Sequence, residues 1–147
     1  MEPTQLFKII SDIVSNKNLK IHDIENALNF SLHKDIDSGV LSLNDAADDY
    51  VGSSESSSHP VCKANVTEYM HDKHEWGIVI LHLRKDLNLL VKEIVDTEKY
   101  PIEDVSINSH TFASTIKFTI SGSKVNFKIN DDEDYPEKVV INIFKNN

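Results

Sequence analysis

The sequence predicts an α+β protein of one domain, with N-terminal helices packed on a largely antiparallel β-sheet. Three observations carry this expectation. The first fifty or so residues show the apolar spacing of amphipathic helices, the chain beyond Pro60 shows strand-like runs and a tight turn, and 147 residues is the size of a single core-forming unit. The helical part is assigned to about residues 1–50, a flexible loop to about 52–60 and the sheet-rich part to about 61–147.

In PTQLFKIISDIVS the apolar residues Leu6, Ile10, Ile13 and Val14 recur at helical spacing, and Pro3 suits a first turn, where no amide donor is needed. IHDIENALNF repeats the pattern through Ile21, Ile24 and Leu28, with acidic residues near its start, where the helix dipole favours them. The two segments predict a helical hairpin. Between Ser31 and Pro60 the period fades. SLND, Ser42 to Asp45, has capping-box spacing and predicts a short helix through AADDYV. GSSESSSHP has no apolar period to bury and reads as a solvated, mobile connection.

VCKANVTEY and GIVILHLR read as two strands, the second apolar on both faces and so central in a sheet. DLNLLVKEIVDTEKYP fits two patterns: Leu87, Leu90, Val91 and Ile94 match a helix capped by Asp86, while Leu87, Leu89 and Val91 match a strand hairpinned with GIVILHLR. In STIKFTISGSKVNFKIN, Gly122 and Ser123 predict a type II′ turn. That turn sets Ile120 opposite Val125, Phe118 opposite Phe127 and Ile116 opposite Ile129 on a buried face, and Lys117 opposite Lys128 on the other. VVINIF, from Val139, adds a last strand after the acidic loop DDEDYPEK.

Composition narrows the function classes. The single cysteine, Cys62, leaves no internal disulfide, and MEPTQLFKII lacks the basic flank and apolar run of a signal peptide, so a cytoplasmic location is expected. The most apolar run, Ile78 to Leu83, is interrupted by His82 and falls far short of a membrane span. There are 24 Asp and Glu against 15 Lys and Arg, and Arg84 is the one arginine. Clustered Lys and Arg bind phosphate backbones, and none is evident, so a nucleic-acid partner is not expected. The acid is uneven: residues 21–60 carry a net of −7 out of −9, and Asp131 to Asp134 form a second cluster.

The octet YMHDKHEW, Tyr69 to Trp76, gathers His71, Asp72, His74 and Glu75. With His59 and Cys62 its histidines form two close pairs of zinc-capable side chains, but zinc motifs ordinarily carry two or more cysteines at tight spacing, and a strand from Val61 separates the pairs. No metal and no other cofactor is expected. Acid-base work needs groups held in a pocket with shifted pKa values, whereas this loop of charged residues keeps its histidines wet. Ser57, Ser58 and Cys62 lack the glycine setting of a nucleophile elbow, and there is no GxxxxGK[ST] or GxGxxG. DDEDYPEK lacks the spacing and glycine of an EF-hand. The chain is therefore not expected to be an enzyme.

A charge run is ordinarily a solvated face. The functional reading is complementarity to a basic protein, with Asp45, Asp48, Asp49, Asp131, Asp132, Glu133 and Asp134 as partner-binding residues. In its size, its acidity, its Lys, Asn and Ile bias, its missing catalytic signature and its α+β layout with acidic loops such as NDAADDY and DDEDY, the chain resembles bacterial immunity proteins. These are cytosolic antidotes to toxin domains, as in contact-dependent growth inhibition. The resemblance carries over no functional residues. It implies a tight, non-catalytic complex with a basic toxin domain, often a nuclease. A cytosolic chaperone or adaptor for another protein is the alternative, and a small enzyme using histidines and carboxylates a third.

Overall fold

Apolar residues of the first helix fall at i, i+3, i+4, i+7 and i+8, so one face of α1 (Pro3–Val14) buries Leu6, Ile9, Ile10, Ile13 and Val14. The computed structural model describes residues 3–35, 47–70 and 72–145. Pro3 is the first helical residue, as its fixed φ and missing amide favour. In α2 (Ile21–Leu28) the Lys20 amide donates to the Asp23 carboxylate at 2.9 Å, satisfying one of the amides that a helix start leaves over. Asn29 ends α2 in the left-handed conformation, φ 61°, with its amide bonded to the Glu25 carbonyl.

Among the described residues eight strands follow: β1 (His33–Lys34), β2 (Ala47–Ser53), β3 (Val61–Tyr69), β4 (Glu75–Leu83), β5 (Asp104–Ile107), β6 (Ser114–Ile120), β7 (Ser123–Ile129) and β8 (Lys138–Phe144). They form one open sheet in the order β1-β2-β3-β4-β8-β7-β6-β5, and every neighbouring pair is antiparallel. The sheet is thus two four-stranded meanders, β1–β4 and β5–β8, joined where β8 returns to pair with β4. Strand alternation gives the sheet a core face and an outer face. Val79, Leu81, Val139, Ile141, Val125 and Phe127 are buried on the first, in one core cluster with Leu6, Ile10, Ile24 and Leu28 of the helices. Ile78, Ile80 and Val140 are half-buried on the second.

Trp76 ties helices to sheet. Its indole N–H, buried, donates to the Leu19 carbonyl at 2.8 Å, in the turn between α1 and α2. It sits at an irregularity in the β4–β8 pairing beside Gly77, where a Cβ would lie 1.9 Å from the Thr67 carbonyl oxygen. A second tie is His59. The Val61 amide donates to its Nδ1, so Nε2 carries the proton and donates to the Leu28 carbonyl at the end of α2. Arg84 fastens the serine-rich connection, donating from Nε to the His59 carbonyl and from its terminal nitrogen to the Ser56 carbonyl.

Four sequence expectations are corrected. Where a helix through AADDYV was expected, the described residues from Ala47 on are strand: β2 takes Ala47 to Ser53, because pairing with β3 sets Tyr50 against Val66 and Gly52 against Ala64 on the core face. The residues assigned to a helical part therefore also hold β1 and β2, and the loop expected from 52 loses Gly52 and Ser53 to β2. Segment 87–98 is neither a long helix nor a hairpin partner of β4. A single helical turn, α3 (Val91–Ile94), forms there, capped by the Glu93 carboxylate on the Leu90 amide rather than by Asp86. Left-handed Asn88 and extended Val95 bound it, and the segment buries Leu89, Val91, Ile94 and Val95.

The fourth correction is the hairpin register. The turn residues are Ser121 and Gly122, both with positive φ (52° and 83°), a type I′ turn, so Phe118 faces Val125, Ile116 faces Phe127 and Ile120 faces Ser123. The slip is two residues, which leaves every side chain on its expected face. It also replaces the Lys117–Lys128 opposition by Lys117 against Asn126. β5, exposed along its length, was not foreseen. The SLND cap at Ser42 to Asp45 lies outside the described residues.

Phe118 and Phe127 are both fully buried and meet edge to face, with centroids 5.8 Å apart, as diagonal neighbours. Replacing Phe118 by Ala is expected to cost about 3–5 kcal/mol in denaturant unfolding. A loss below about 1 kcal/mol would place this face outside the core.

Candidate functional site

The residues expected to bind a partner separate in space. Asp48 and Asp49 are successive residues of β2, so their side chains leave opposite faces of the sheet. Asp49 is on the outer face and accepts the Thr67 hydroxyl hydrogen at 2.7 Å, which commits it to the β2–β3 pair. Asp48 is on the core-side face, directly opposite Glu68 of β3 and 3.2 Å from the Lys34 ammonium of β1. Asp45 lies outside the described residues.

Asp131, Asp132, Glu133 and Asp134 are all exposed, in the link from β7 to β8. That link leaves the other end of the sheet: Lys138 aligns through His82 and Lys63 with Ser53, the last residue of β2. Asp48 and this loop are therefore separated by roughly 16 Å of strand and by three strand spacings, roughly 14 Å. They do not form one surface.

What the structure adds to Asp48 is an acidic sheet end. Glu68, half-buried in β3, faces it; Asp72 follows in the β3–β4 turn and Glu75 opens β4. Burial pushes the Glu68 carboxyl above the usual carboxylate range, the charge of Asp48 adds to that, and Lys145 opposes it. The Tyr50 phenol, on the same face, is raised by burial and then by Asp48 and Glu68, with Lys34 opposing. Tyr69 is raised by burial and by Glu75 and Asp72. Like charges directly opposite on neighbouring strands repel, so the Asp48–Glu68 pair is held at an electrostatic cost by the ladder around it. A glutamate within the strand pattern VTEY was the available signal for Glu68, and it needed the register of β2 to acquire meaning.

The octet is mainly a structural turn. Asp72 accepts the amides of His74 and Glu75, both at 2.8 Å, and these bonds hold its carboxyl below the ordinary range. Lys145 closes the turn from the chain end, its ammonium on the Asp72 carbonyl and its amide on the His74 carbonyl. His71 lies outside the described residues. The described candidates for zinc are apart: His59 and Cys62 lie at the start of β3, with the Cys62 thiol donating to the His82 carbonyl, and His74 lies past its end. Among the described residues no group of three or more His, Cys, Asp or Glu side chains is placed to hold a metal ion, and no helix is long and apolar enough to cross a membrane.

The Asp48–Glu68 repulsion has a pH signature. A carboxyl whose folded pKa is raised holds its proton more tightly when folded, so its contribution is fully present below the unfolded value of about 4.5 and is lost as pH rises through the raised value. Glu68→Gln is expected to melt higher than the parent near pH 7, by a modest margin because the group is partly exposed, and the gap should close toward about pH 4. Melting curves that coincide throughout this range would remove the repulsion.

No protein-family model matches the chain, and neither a curated protein nor a solved structure matches it.

Proposed function

We propose that this chain is a non-catalytic binding module that seats a basic protein partner at the β2–β3 end of its sheet, neutralising it in the manner of the immunity proteins its sequence resembles. The observation that carries this reading is the Asp48–Glu68 cross-strand pair, two carboxylates facing each other at the partly exposed end of β2 and β3, with Tyr50 beside them. A lysine or arginine of the partner placed between the two carboxylates converts repulsion into a shared charge-assisted hydrogen bond. Tyr50, on the same face, offers the amphipathic ring that interfaces favour. The partner is a toxin domain with a cationic cleft, met in the cytoplasm.

The exposed 131–134 loop plays a different part in this reading. Standing at the other end of the sheet, it adds to the field that steers encounter and makes no contact at the Asp48–Glu68 pair. We take the helices as the layer packed on one face of the sheet, supported by the core they share with the strands and by the Trp76–Leu19 bond. That layer keeps β2 and β3 rigid, so the carboxylates are presented without a further ordering cost.

Rates separate the two acidic groups. With a basic partner captured from the native host, Asp48→Asn with Glu68→Gln is expected mainly to speed dissociation. Asp131, Asp132 and Asp134 changed to Asn should instead slow association by about ten-fold at low ionic strength, an effect that vanishes as salt screens beyond about 8–10 Å. Association and dissociation rates untouched by both sets of changes would sink the proposal, as would hydrolytic turnover by the isolated chain.

A further inference from the structure

In a chain that is acidic overall, the four central strands of the sheet, β3, β4, β8 and β7, carry basic side chains on the outer face. In register, Lys63 of β3 aligns with His82 of β4, His82 with Lys138 of β8, and Lys138 with Lys128 of β7. Four consecutive strands therefore carry four basic side chains in one row, which at the usual strand spacing is roughly 14 Å long. Lys117 of β6 lies on the same face, between Asn126 of β7 and Asp104 of β5. Like charges side by side across a ladder destabilise it, as Lys138 and Lys128 are here. The ion pairs among the described residues are Lys8–Asp12, His22–Asp23, Lys34–Asp48 and Lys124–Glu103, and none includes Lys63, Lys128 or Lys138. Lys128 instead donates to the Thr115 hydroxyl, and His82 bonds through Nε2 to the Asn65 amide oxygen. Burial first, and then Lys63 and Lys138, hold the His82 imidazole below its ordinary range against the opposing charge of Glu137.

Next to this row the face is aliphatic. Ile80 of β4 aligns with Val140 of β8, between Asn65 on one side and Asn126 on the other, and Ile78 lies one row further on, between Thr67 and Asn142; all three aliphatic side chains are half-buried. A sheet face with an apolar strip is ordinarily covered by a second layer, most simply a helix.

We propose that the outer face docks an acidic amphipathic helix of a partner protein, with its carboxylates on the Lys63–His82–Lys138–Lys128 row and its apolar stripe on Ile78, Ile80 and Val140. Charge complementarity commits the occupant to an acidic one, and the geometry fits a helix laid across the strands. Carboxylates three and four residues apart on a helix stand about 5–6 Å from one another, close to the strand spacing of about 4.8 Å. A helix of about 12 residues, roughly 18 Å long, spans the row. Single-stranded nucleic acid fits less well, because its bases call for aromatic platforms and this strip is aliphatic. The net charge of −9 would also repel a phosphate chain at long range. The proposal is independent of the basic partner at Asp48 and Glu68: the face is different and the sign is reversed.

The test titrates the full chain into a fluorescein-labelled helical peptide with glutamates along one stripe and leucines along the next, read by anisotropy. Saturable binding is expected, weakened about ten-fold or more by the Lys63→Gln, Lys138→Gln double change and by raised salt. Ile80→Thr should weaken it at every salt concentration. Removing lysines relieves repulsion, so the double variant should retain its circular dichroism and melting temperature; if it does not fold, Lys138→Gln alone provides the reading. Three outcomes overturn the proposal. One is equal binding of a peptide of the same composition with its glutamates scattered around the helix. Another is lysine-dependent binding of oligothymidylate in preference to the peptide. The third is self-association of the free chain through these same lysines, which would make a second copy the occupant.

Discussion

Everything in this structure depends on the antiparallel pairing of β4 with β8. Each meander alone has two edges, and their junction at β4 and β8 turns two small sheets into one. The pairing runs from Glu75 opposite Phe144 to His82 opposite Lys138, and its core side is a continuous apolar surface of Val79, Leu81, Val139 and Ile141, each fully buried. At about 25 cal/mol per Å² of apolar surface removed from water, such fully buried aliphatic side chains contribute about 1.5–3 kcal/mol each. The junction places the core at the middle of the sheet and leaves the short strands β1 and β5 to end it, as exposed edges are best kept short.

The same alternation that buries the core sorts the charge. Residues two apart along a strand share a face, so a chain with an overall acidic balance presents surfaces of both signs. Asp48 and Glu68 collect at one end, on the core side beyond the apolar cluster. Lys63, Lys138 and Lys128 collect on the outer face, around His82. Each grouping sets like charges opposite one another across a ladder, an arrangement that folding alone does not favour. Partners of opposite sign relieve such repulsion, and this is why both proposals rest on cross-strand pairs rather than on total charge.

The octet YMHDKHEW shows how a dense run of functional-looking side chains serves architecture. Asp72 organises the turn through two backbone amides, and Trp76 leaves it to reach the Leu19 carbonyl beyond α1. Gly77, beside Trp76, lets β3 pass too close for any side chain. Turn, indole and glycine together set where β4 begins, and so where the acidic end of the sheet stands.

Periodicity alone determined the elements whose stability is local or whose burial is uniform. α1 and α2 were legible because apolar residues at 3.6-residue spacing make one buried stripe, and β3, β4 and β8 because they are short segments rich in apolar β-formers. Phe118 and Phe127 were legible as a buried pair for the same reason, even though the turn between them lies one residue earlier than expected. Only the tertiary structure decided β2, α3 and β5, since their local signals are weak or mixed and their conformation comes from the neighbour that satisfies their backbone groups or buries their side chains. It alone separated Asp48 from the 131–134 loop, opposed Asp48 to Glu68 and lined up the lysines of the outer face. Those relations are between strands far apart in the chain, and a one-dimensional pattern has no register for them until the ladders are formed.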